Sequence, residues 1–559
     1  MYEEEVVEGE VGAKLNEYLT RIVPYGFSGA TLVANRGKML LNKGYGMAMR
    51  QENIRNTSQT VFCTGSITKQ FTATAILKLE MQGKLETNDP ITKHFNNVPK
   101  DKTLITIHNL LTHTAGIVDN VGDDYETANR NETIQKILET PSLFTPGEQY
   151  DYSNAGYSLL GAIIEISSGQ QYETYLNEQL FKPSGMKYTG YRLPNWNEKT
   201  VAHWYMGDVD NENSLHKSFP YWNIVGNGGI LSTLEDMYRW YLSLKNNEVL
   251  SAEAKKKLLT PFLQNYAYGW DVATTQHGTL IHHDGANDLG ASADFKWFPD
   301  RDTVIIMFFN QSYEHTPVMQ QVRDKIKQLV FGEAVPMPPK VLETDRSNLE
   351  RFIGEYQFKT GGKFLVAIET DAIRIAADGQ GAINTLFSNG QDDALDRSEL
   401  NGKTMMLLQA AVKGEFSYLE KEVEDKTTLE RKKRFIANTI QKAELAGVFK
   451  EVEVIGTLPF SRKEGVEITF AQLNYGTQKI KIGFAWHDGK LWGVTPTPDR
   501  PIMLFKPLSK QAFAGYHIGL AKNSKISFDI NNTDSVMELV IYRKDVNIKA
   551  RKLKNKRIR

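Results

Sequence analysis

The spacing of apolar and polar positions divides the chain into two differently patterned parts. Residues 11–23 (VGAKLNEYLTRIV) repeat apolar side chains three and four apart, which predicts a short amphipathic helix. GATLVANRGKMLLNKGYG follows, two apolar-rich runs around Asn35-Arg36-Gly37, the pattern of a β-hairpin. Residues 66–82 read as a helix closed by Gly83. From 104 to 190 helical spacing dominates, broken at His113-Thr114-Ala115-Gly116 and Thr145-Pro146-Gly147. A helix is expected over about 233–246, after the glycine-rich GNGGILST. Strands follow over 279–283, 291–298 and 303–309, then a helix near 316–331. A hairpin first, strands last and helices between predict an α+β domain over 11–333. It has an antiparallel sheet closed by both ends of the segment and flanked by helices, with a helical subdomain beside it.

The pattern then changes. AVPMPPKVLETD holds Pro336, Pro338 and Pro339 and reads as a stiff linker, 334–345. Beyond it, FLVAIET, AIRIAAD, VEITFAQL, KIKIGFAW, KLWGVTP and VMELVIY alternate or run apolar over strand lengths. They predict a mostly antiparallel, barrel-like β domain over 346–559, interrupted by a charged helix at about 417–444.

Composition narrows the function classes. With 559 residues the chain exceeds a single core, and 41% apolar with 24% charged residues is ordinary globular usage. Lys plus Arg number 66 against 67 Asp plus Glu, so there is no basic excess to hold nucleic acid. The locally basic stretch 543–559 is expected to be a solvated tail or edge strand, with contact with an anionic surface as the lesser reading. No run is long enough for a transmembrane segment. The acidic start MYEEEVVEGEVG lacks a signal-peptide layout. A cytoplasmic location is therefore expected if this is the natural start, a periplasmic or secreted one if a leader has been removed. One cysteine, Cys63, excludes an intrachain disulfide and reads as a small buried hydrophobe. H-E-x-x-H, P-loop and dinucleotide patterns are absent, and no metal or cofactor is expected.

Candidate chemistry begins at Ser66 and Lys69. A serine hydroxyl is hardly ionised at neutral pH and needs a base. A lysine three residues on shares its helix face and can take the proton only if it is desolvated. Phe71, Ala73, Ala75, Ile76, Leu77 and Leu79 make the following helix apolar on more than one side, which predicts burial. The same S-x-x-K string at Ser184–Lys187 and Ser214–Lys217 lies in loop-like or polar surroundings.

Together with two later motifs, this pair resembles the signature of the serine β-lactamase and penicillin-binding-protein superfamily, closest to its class C branch. The second motif, Y-x-N, reads Tyr152-Ser153-Asn154; the third, H-x-G in place of K-T-G, reads His283-Asp284-Gly285. LLTHTAG, PGEQYDYSNAGY and GNGGILSTLEDM look like family stretches, and the resemblance covers about residues 11–333. It implies a serine hydrolase in which Ser66 forms an acyl-enzyme while Lys69 and Tyr152 manage its proton, Tyr152 as a base made acidic by a nearby ammonium. It further implies that Asn154 holds a substrate carbonyl and steadies the lysine. Gly285 would let substrate run beside a strand edge, and the backbone N–H groups of Ser66 and Ala286 would form an oxyanion hole. Taken singly, Tyr152 also suits a half-buried phenol, Asn154 a helix cap and His283 a strand-end histidine. As a substrate-binding group, His283 would favour carboxylates only as pH falls through about 6.5. The expected partner is a small ester, amide or peptide, on the pattern of an esterase or D-amino-acid peptidase. A β-lactamase or D-Ala-D-Ala carboxypeptidase, and a non-catalytic scaffold or lipid-binding protein, are the alternatives. NLERFIGEYQF and QAFAGYHIG resemble openings of a lipocalin-like module, which would bind a lipid, shape substrate access, offer a surface for homo-oligomer contacts or serve only as a packing module.

Overall fold

A computed structural model describes residues 5–553 apart from 208, 220, 313–317, 343–345, 360, 370–371, 388–396, 424–425, 445–446, 460–465, 477, 496–499, 518–521, 532–534 and 543–546. The end of the expected linker, the first residues of the helix near 316 and most of the basic C-terminal stretch lie outside the described residues. Two compact units emerge: Met1–Thr20 with Phe27–Ser312 and Ile326–Ala334, and Arg21–Gly26 with Tyr313–Lys325 and Val335–Arg559.

In the first unit the alternating segments pair into one antiparallel sheet. Its strands are β1 (Val6–Val7), β2 (Gly29–Asn35), β3 (Lys38–Tyr45), β4 (Asp271–Thr275), β5 (Gly278–Ala286), β6 (Ser292–Phe298) and β7 (Thr303–Phe309), in the order β1-β3-β2-β7-β6-β5-β4. Residues from both ends of the segment meet at its centre, where β2 and β7 run in register from Gly29↔Phe309 to Asn35↔Thr303. Every residue of β6 and β7 is buried. β4 escaped the sequence reading because DVATT is a half-exposed edge strand with little apolar contrast.

Helices around this sheet include α1 (Gly9–Ile22), α2 (Thr68–Met81), α3 (Asn154–Ser168) and α4 (Leu234–Lys245), of which α2 and α3 carry residues of the site. All residues of α2 from Thr68 to Leu77 are buried. Its small and β-branched side chains let neighbouring segments approach on every side. The helix expected to start at 66 starts at Thr68; Gly65–Ile67 is a 3-10 turn, and Gly65 has a φ of +51°, which a regular helix cannot include. The stretch 104–190 is less helical than its periodicity suggests. Between Ile107–Leu111, Arg130–Glu139 and α3 the backbone is largely irregular, and its buried groups are held by local side chains such as Asn109 and Thr114.

The second unit contains a closed eight-stranded barrel. Its strands are β8 (Gly354–Phe358), β9 (Lys363–Glu369), β10 (Ala372–Asp378), β15 (Ile502–Pro507), β16 (Ala512–His517), β17 (Lys522–Ile530), β18 (Val536–Tyr542) and β19 (Asn547–Lys552), each antiparallel to the next, with β19 closing on β8. Between β10 and β15 the chain inserts helices α5 (Gln380–Phe387), α6 (Ser398–Ala411), α7 (Ser417–Glu422) and α8 (Lys426–Glu444). A four-stranded sheet follows: β11 (Phe449–Pro459), β12 (Val466–Tyr475), β13 (Gln478–His487) and β14 (Lys490–Thr495). VEITFAQL, KIKIGFAW and KLWGVTP therefore belong to this separate sheet and not to the barrel. Period-two alternation identifies a strand but not its partner.

β12 shows how the insertion is held. Ile468 and Phe470 join the barrel core, whereas Ala471, Leu473 and Tyr475, on the other face, pack with Leu407, Leu408, Ile436 and Ile440 of the helices. The barrel core is filled by side chains, among them Tyr356, Phe364, Ile375, Phe505, Phe513 and Leu539. Phe352, just before β8, is fully buried, with its ring 4.4 Å from Phe528 and 5.2 Å from Phe513. Eight strands leave an interior of about this capacity. Phe352→Ala should cost about 3–5 kcal/mol of stability. The check is the urea midpoint of the barrel's unfolding, which should fall with the slope unchanged.

Candidate active site

Burial of α2 carries Lys69 with it: the side chain has 0% exposure at the helix's first turn. A buried ammonium needs acceptors, and three surround it. Nζ donates to Asn154 Oδ1 at 2.6 Å, to the Asn227 carbonyl at 2.7 Å and to Ser66 Oγ at 3.2 Å. Burial pulls its pKa down to about 7, against the opposing pull of the Asp119 and Asp124 carboxylates. Ser66 itself is half-buried on the 3-10 turn just before the helix.

Each acceptor is fixed by its own surroundings. Asn154 Nδ2 and backbone N–H both donate to Asp119 Oδ1, at 3.0 and 3.2 Å, which turns the amide oxygen toward Lys69. Asn154 is the first residue of α3; the cap is Ser153, whose Oγ accepts from Gly156 N–H at 2.9 Å. The segment 226–230 wraps the start of α2. Asn227 Nδ2 donates to Asn223 O and Ser158 Oγ, Thr72 Oγ1 donates to Gly226 O, and Thr64 Oγ1 donates to Ile230 O.

Tyr152 is half-buried, shares a side-chain hydrogen bond with Ser66, and places its ring centroid 4.8 Å from Lys69 Nζ. Burial pushes the phenol well above its ordinary value. The direction is opposite to that expected from a neighbouring ammonium, because burial outweighs the Ser66 hydrogen bond that works against it.

The strand β5 brings its end onto the same turn. A Cβ on Gly285 would lie 2.6 Å from Ser66 N and closer still to Thr64 O; one on Gly65 would lie 2.6 Å from Ala286 N. The two glycines thus let backbone meet backbone, which brings the Ser66 and Ala286 amide groups to one place.

His283 departs from its expected part. It is 3% exposed, its Nδ1 lies 2.6 Å from Asp284 O and its Nε2 lies 3.0 Å from Tyr266 Oη. A carbonyl only accepts, so Nδ1 carries the proton and Nε2 accepts from Tyr266. Burial and the charge on Lys69 lower the imidazole pKa to about 4. The expected titration near 6.5 is thereby removed from the neutral range.

Sequence reasoning missed four residues here. Asp119 and Tyr266 stand outside any pattern, Asn227 lay in GNGGILST without a role, and His113 lay in LLTHTAG as a mere flank. His113 is 1% exposed, and its ring lies 4.2 Å from that of Tyr152 and 4.6 Å from that of Tyr266. Among the described residues no group of three or more His, Cys, Asp or Glu is placed to hold a metal ion, and no helix is long and apolar enough to cross a membrane.

A hydroxyl bonded to a desolvated amine at the start of a buried helix, facing a backbone-lined strand end, is equipped for acyl transfer through a serine. Fold and site define an enzyme of the serine hydrolase type, in the β-lactamase and penicillin-binding-protein superfamily. The chain belongs to the Beta-lactamase family, whose profile matches residues 18–327. It is 31% identical over 336 residues to the putative penicillin-binding protein PbpX of Bacillus subtilis (strain 168), covering 59% of this chain and 81% of that one. Penicillin-binding protein 4* of the same organism is 25% identical over 385 residues, covering 63% and 84%. The octameric penicillin-binding protein homologue of Pyrococcus abyssi shares the fold over 97% of this chain and 100% of its own, with a TM-score of 0.52 and 20% identity. D-amino acid amidase from Ochrobactrum anthropi SV3 does so over 58% and 99%, with a TM-score of 0.52 and 20% identity.

Gly285→Ala should push the end of β5 away from the Ser66 turn. We expect at least a hundredfold fall in the rate of covalent labelling by a fluorophosphonate, the cost of losing one oxyanion donor. Circular dichroism should show an unchanged fold.

Proposed function

We propose that the protein hydrolyses small esters or amides through an acyl-enzyme on Ser66, with Lys69 taking the hydroxyl proton. The observation that carries this reading is the wholly buried Lys69 amine, 3.2 Å from Ser66 Oγ with a pKa of about 7. As a neutral amine, Lys69 keeps two N–H groups for Asn154 Oδ1 and Asn227 O. Its lone pair then faces the third partner, Ser66, whose O–H becomes the donor. Proton transfer reverses one hydrogen bond and leaves the other two in place.

In the first half-reaction Ser66 Oγ bonds to the carbonyl carbon as its proton passes to Lys69. The oxyanion lies against the N–H groups of Ser66 and Ala286. Tyr152, protonated in the free enzyme, gives its proton to the leaving alcohol or amine and regains one from Lys69. Water then attacks the acyl group, its proton returning through Tyr152 and Lys69 to Ser66, and the acid departs.

The charges around the site favour neutral acyl donors. His283 is neutral and has no free nitrogen to offer a substrate. Asp119, Asp124 and Asp284 act on Lys69 or Tyr152, and Asp288 on Asp124. A substrate carboxylate, as in a β-lactam or a peptide with a free C-terminus, would face these acids. The amidase likeness, though one of fold alone, supports including amides. In this proposal residues 11–333 form the catalytic domain, 334–345 the linker and 346–559 a packing and assembly module. Sedimentation velocity tests self-association: an assembly for the full chain, lost in the 1–340 fragment.

Intact-mass measurement after a fluorophosphonate or β-lactam probe, followed by turnover on a panel of p-nitrophenyl esters and D-amino-acid amides, tests the reading. Ser66→Ala should abolish both labelling and turnover; labelling that persists on another serine refutes the assignment. Because the neutral amine is the active form, kcat/KM for a neutral ester should rise with pH through about 7 and level off above it. A flat or falling profile across that range would exclude Lys69 as the base. Preference for a cephalosporin over the neutral ester would replace this substrate class with the β-lactamase alternative.

A further inference from the structure

We infer that His113 is a positioning residue that clamps Tyr152 from both sides and fixes its hydroxyl on Ser66, an inference that rests on the catalytic reading above. Three contacts converge on this one side chain and its peptide. Asp151 N–H donates to the His113 carbonyl at 2.9 Å, and Ser153 N–H donates to His113 Nδ1 at 3.0 Å. The residues on either side of Tyr152 are therefore tied to the same histidine. The imidazole also lies against the Tyr152 ring at 4.2 Å and 35°. Tyr152 can neither slide along its strand-like segment nor turn its ring without breaking one of these.

The clamp depends on the chemistry of histidine. Because Nδ1 accepts from Ser153, a neutral ring carries its proton on Nε2. That atom is buried with no hydrogen-bond partner, among the rings of Tyr150, Tyr152, Tyr157 and Tyr266. Protonating Nδ1 would break the Ser153 bond, and burial together with the charge on Lys69 opposes it. The residue also holds a φ of +56°, a left-handed backbone uncommon outside glycine, which asparagine, aspartate and histidine adopt more readily than other side chains. Strain of this kind persists where surrounding contacts over-determine it, and such places cluster at functional sites.

Two substitutions separate the clamp from mere packing. His113→Asn places an amide oxygen near the Nδ1 position and tolerates the left-handed backbone; His113→Phe keeps a ring but leaves Ser153 N–H unpaired. With a neutral p-nitrophenyl ester, His113→Phe should lose about tenfold or more in kcat, with KM changed less than about twofold. The limb of its pH profile near 7 should shift. His113→Asn should stay within about threefold of wild type. Wild-type kinetics in His113→Phe, or equal losses in both variants, would overturn the inference. A second measurement is independent of turnover. In the full chain labelled with 15N-histidine, with His113→Asn identifying the signal, His113 should remain the neutral Nε2–H tautomer from about pH 5 to about pH 8. Titration within that range, or a proton on Nδ1, overturns the clamp. If wild type neither labels at Ser66 nor turns over any substrate, the catalytic reading fails, and the tautomer alone then decides the position of His113.

Discussion

An ammonium group enclosed by protein is costly unless every proton finds an acceptor, and the first unit is organised around that requirement at Lys69. The two short bonds, to Asn154 Oδ1 and the Asn227 carbonyl, come from elements remote in sequence, and both are braced: Asn154 by Asp119, Asn227 by Asn223 and Ser158. The third and longest, to Ser66, is the one whose direction changes when the proton leaves. With a pKa of about 7, neither the charged nor the neutral form of the amine dominates at neutral pH. Weakening either brace would change that balance before it changed the fold.

The same burial sets the state of the neighbouring rings. His113 and His283 are both held neutral, partly by desolvation and partly by the charge on Lys69. Tyr152 is held protonated. The site therefore concentrates its acid–base freedom in one amine, and the aromatic groups around it hold fixed protonation states. This division explains how two histidines sit beside a candidate nucleophile without acting as its base.

Much of this arrangement is legible in the sequence, for identifiable reasons. Ser66–Lys69 is separable from its decoys because the residues after it are apolar on several sides, and that burial is what the amine requires. Tyr152, Asn154 and Gly285 are legible as motif members, and the structure brings them to the Ser66 turn. The acceptor on Asn227 is not legible, since it is a backbone carbonyl and any residue type would supply it. Nor is Tyr266, which consumes the His283 nitrogen that the motif assigns to substrate. His113 works through a backbone amide, a ring face and a left-handed turn, none of which leaves a spacing to read. At the level of fold, alternation revealed the strands of the second unit but not their division between barrel and insertion, because β12 is apolar toward both of its neighbours.

The closure of β19 onto β8 imposes an order on biosynthesis. The first barrel strand leaves the ribosome long before its last partner, and the helices and four-stranded sheet of the insertion are complete in between. Until β19 is released, β8 presents an unpaired edge, while the inserted sheet can already pair within itself from neighbouring segments of chain. A nascent chain thus carries a folded insertion on an open, adhesive ribbon. Termination anywhere before β19 is complete would leave that ribbon permanently open, a hazard out of proportion to the length of a single strand.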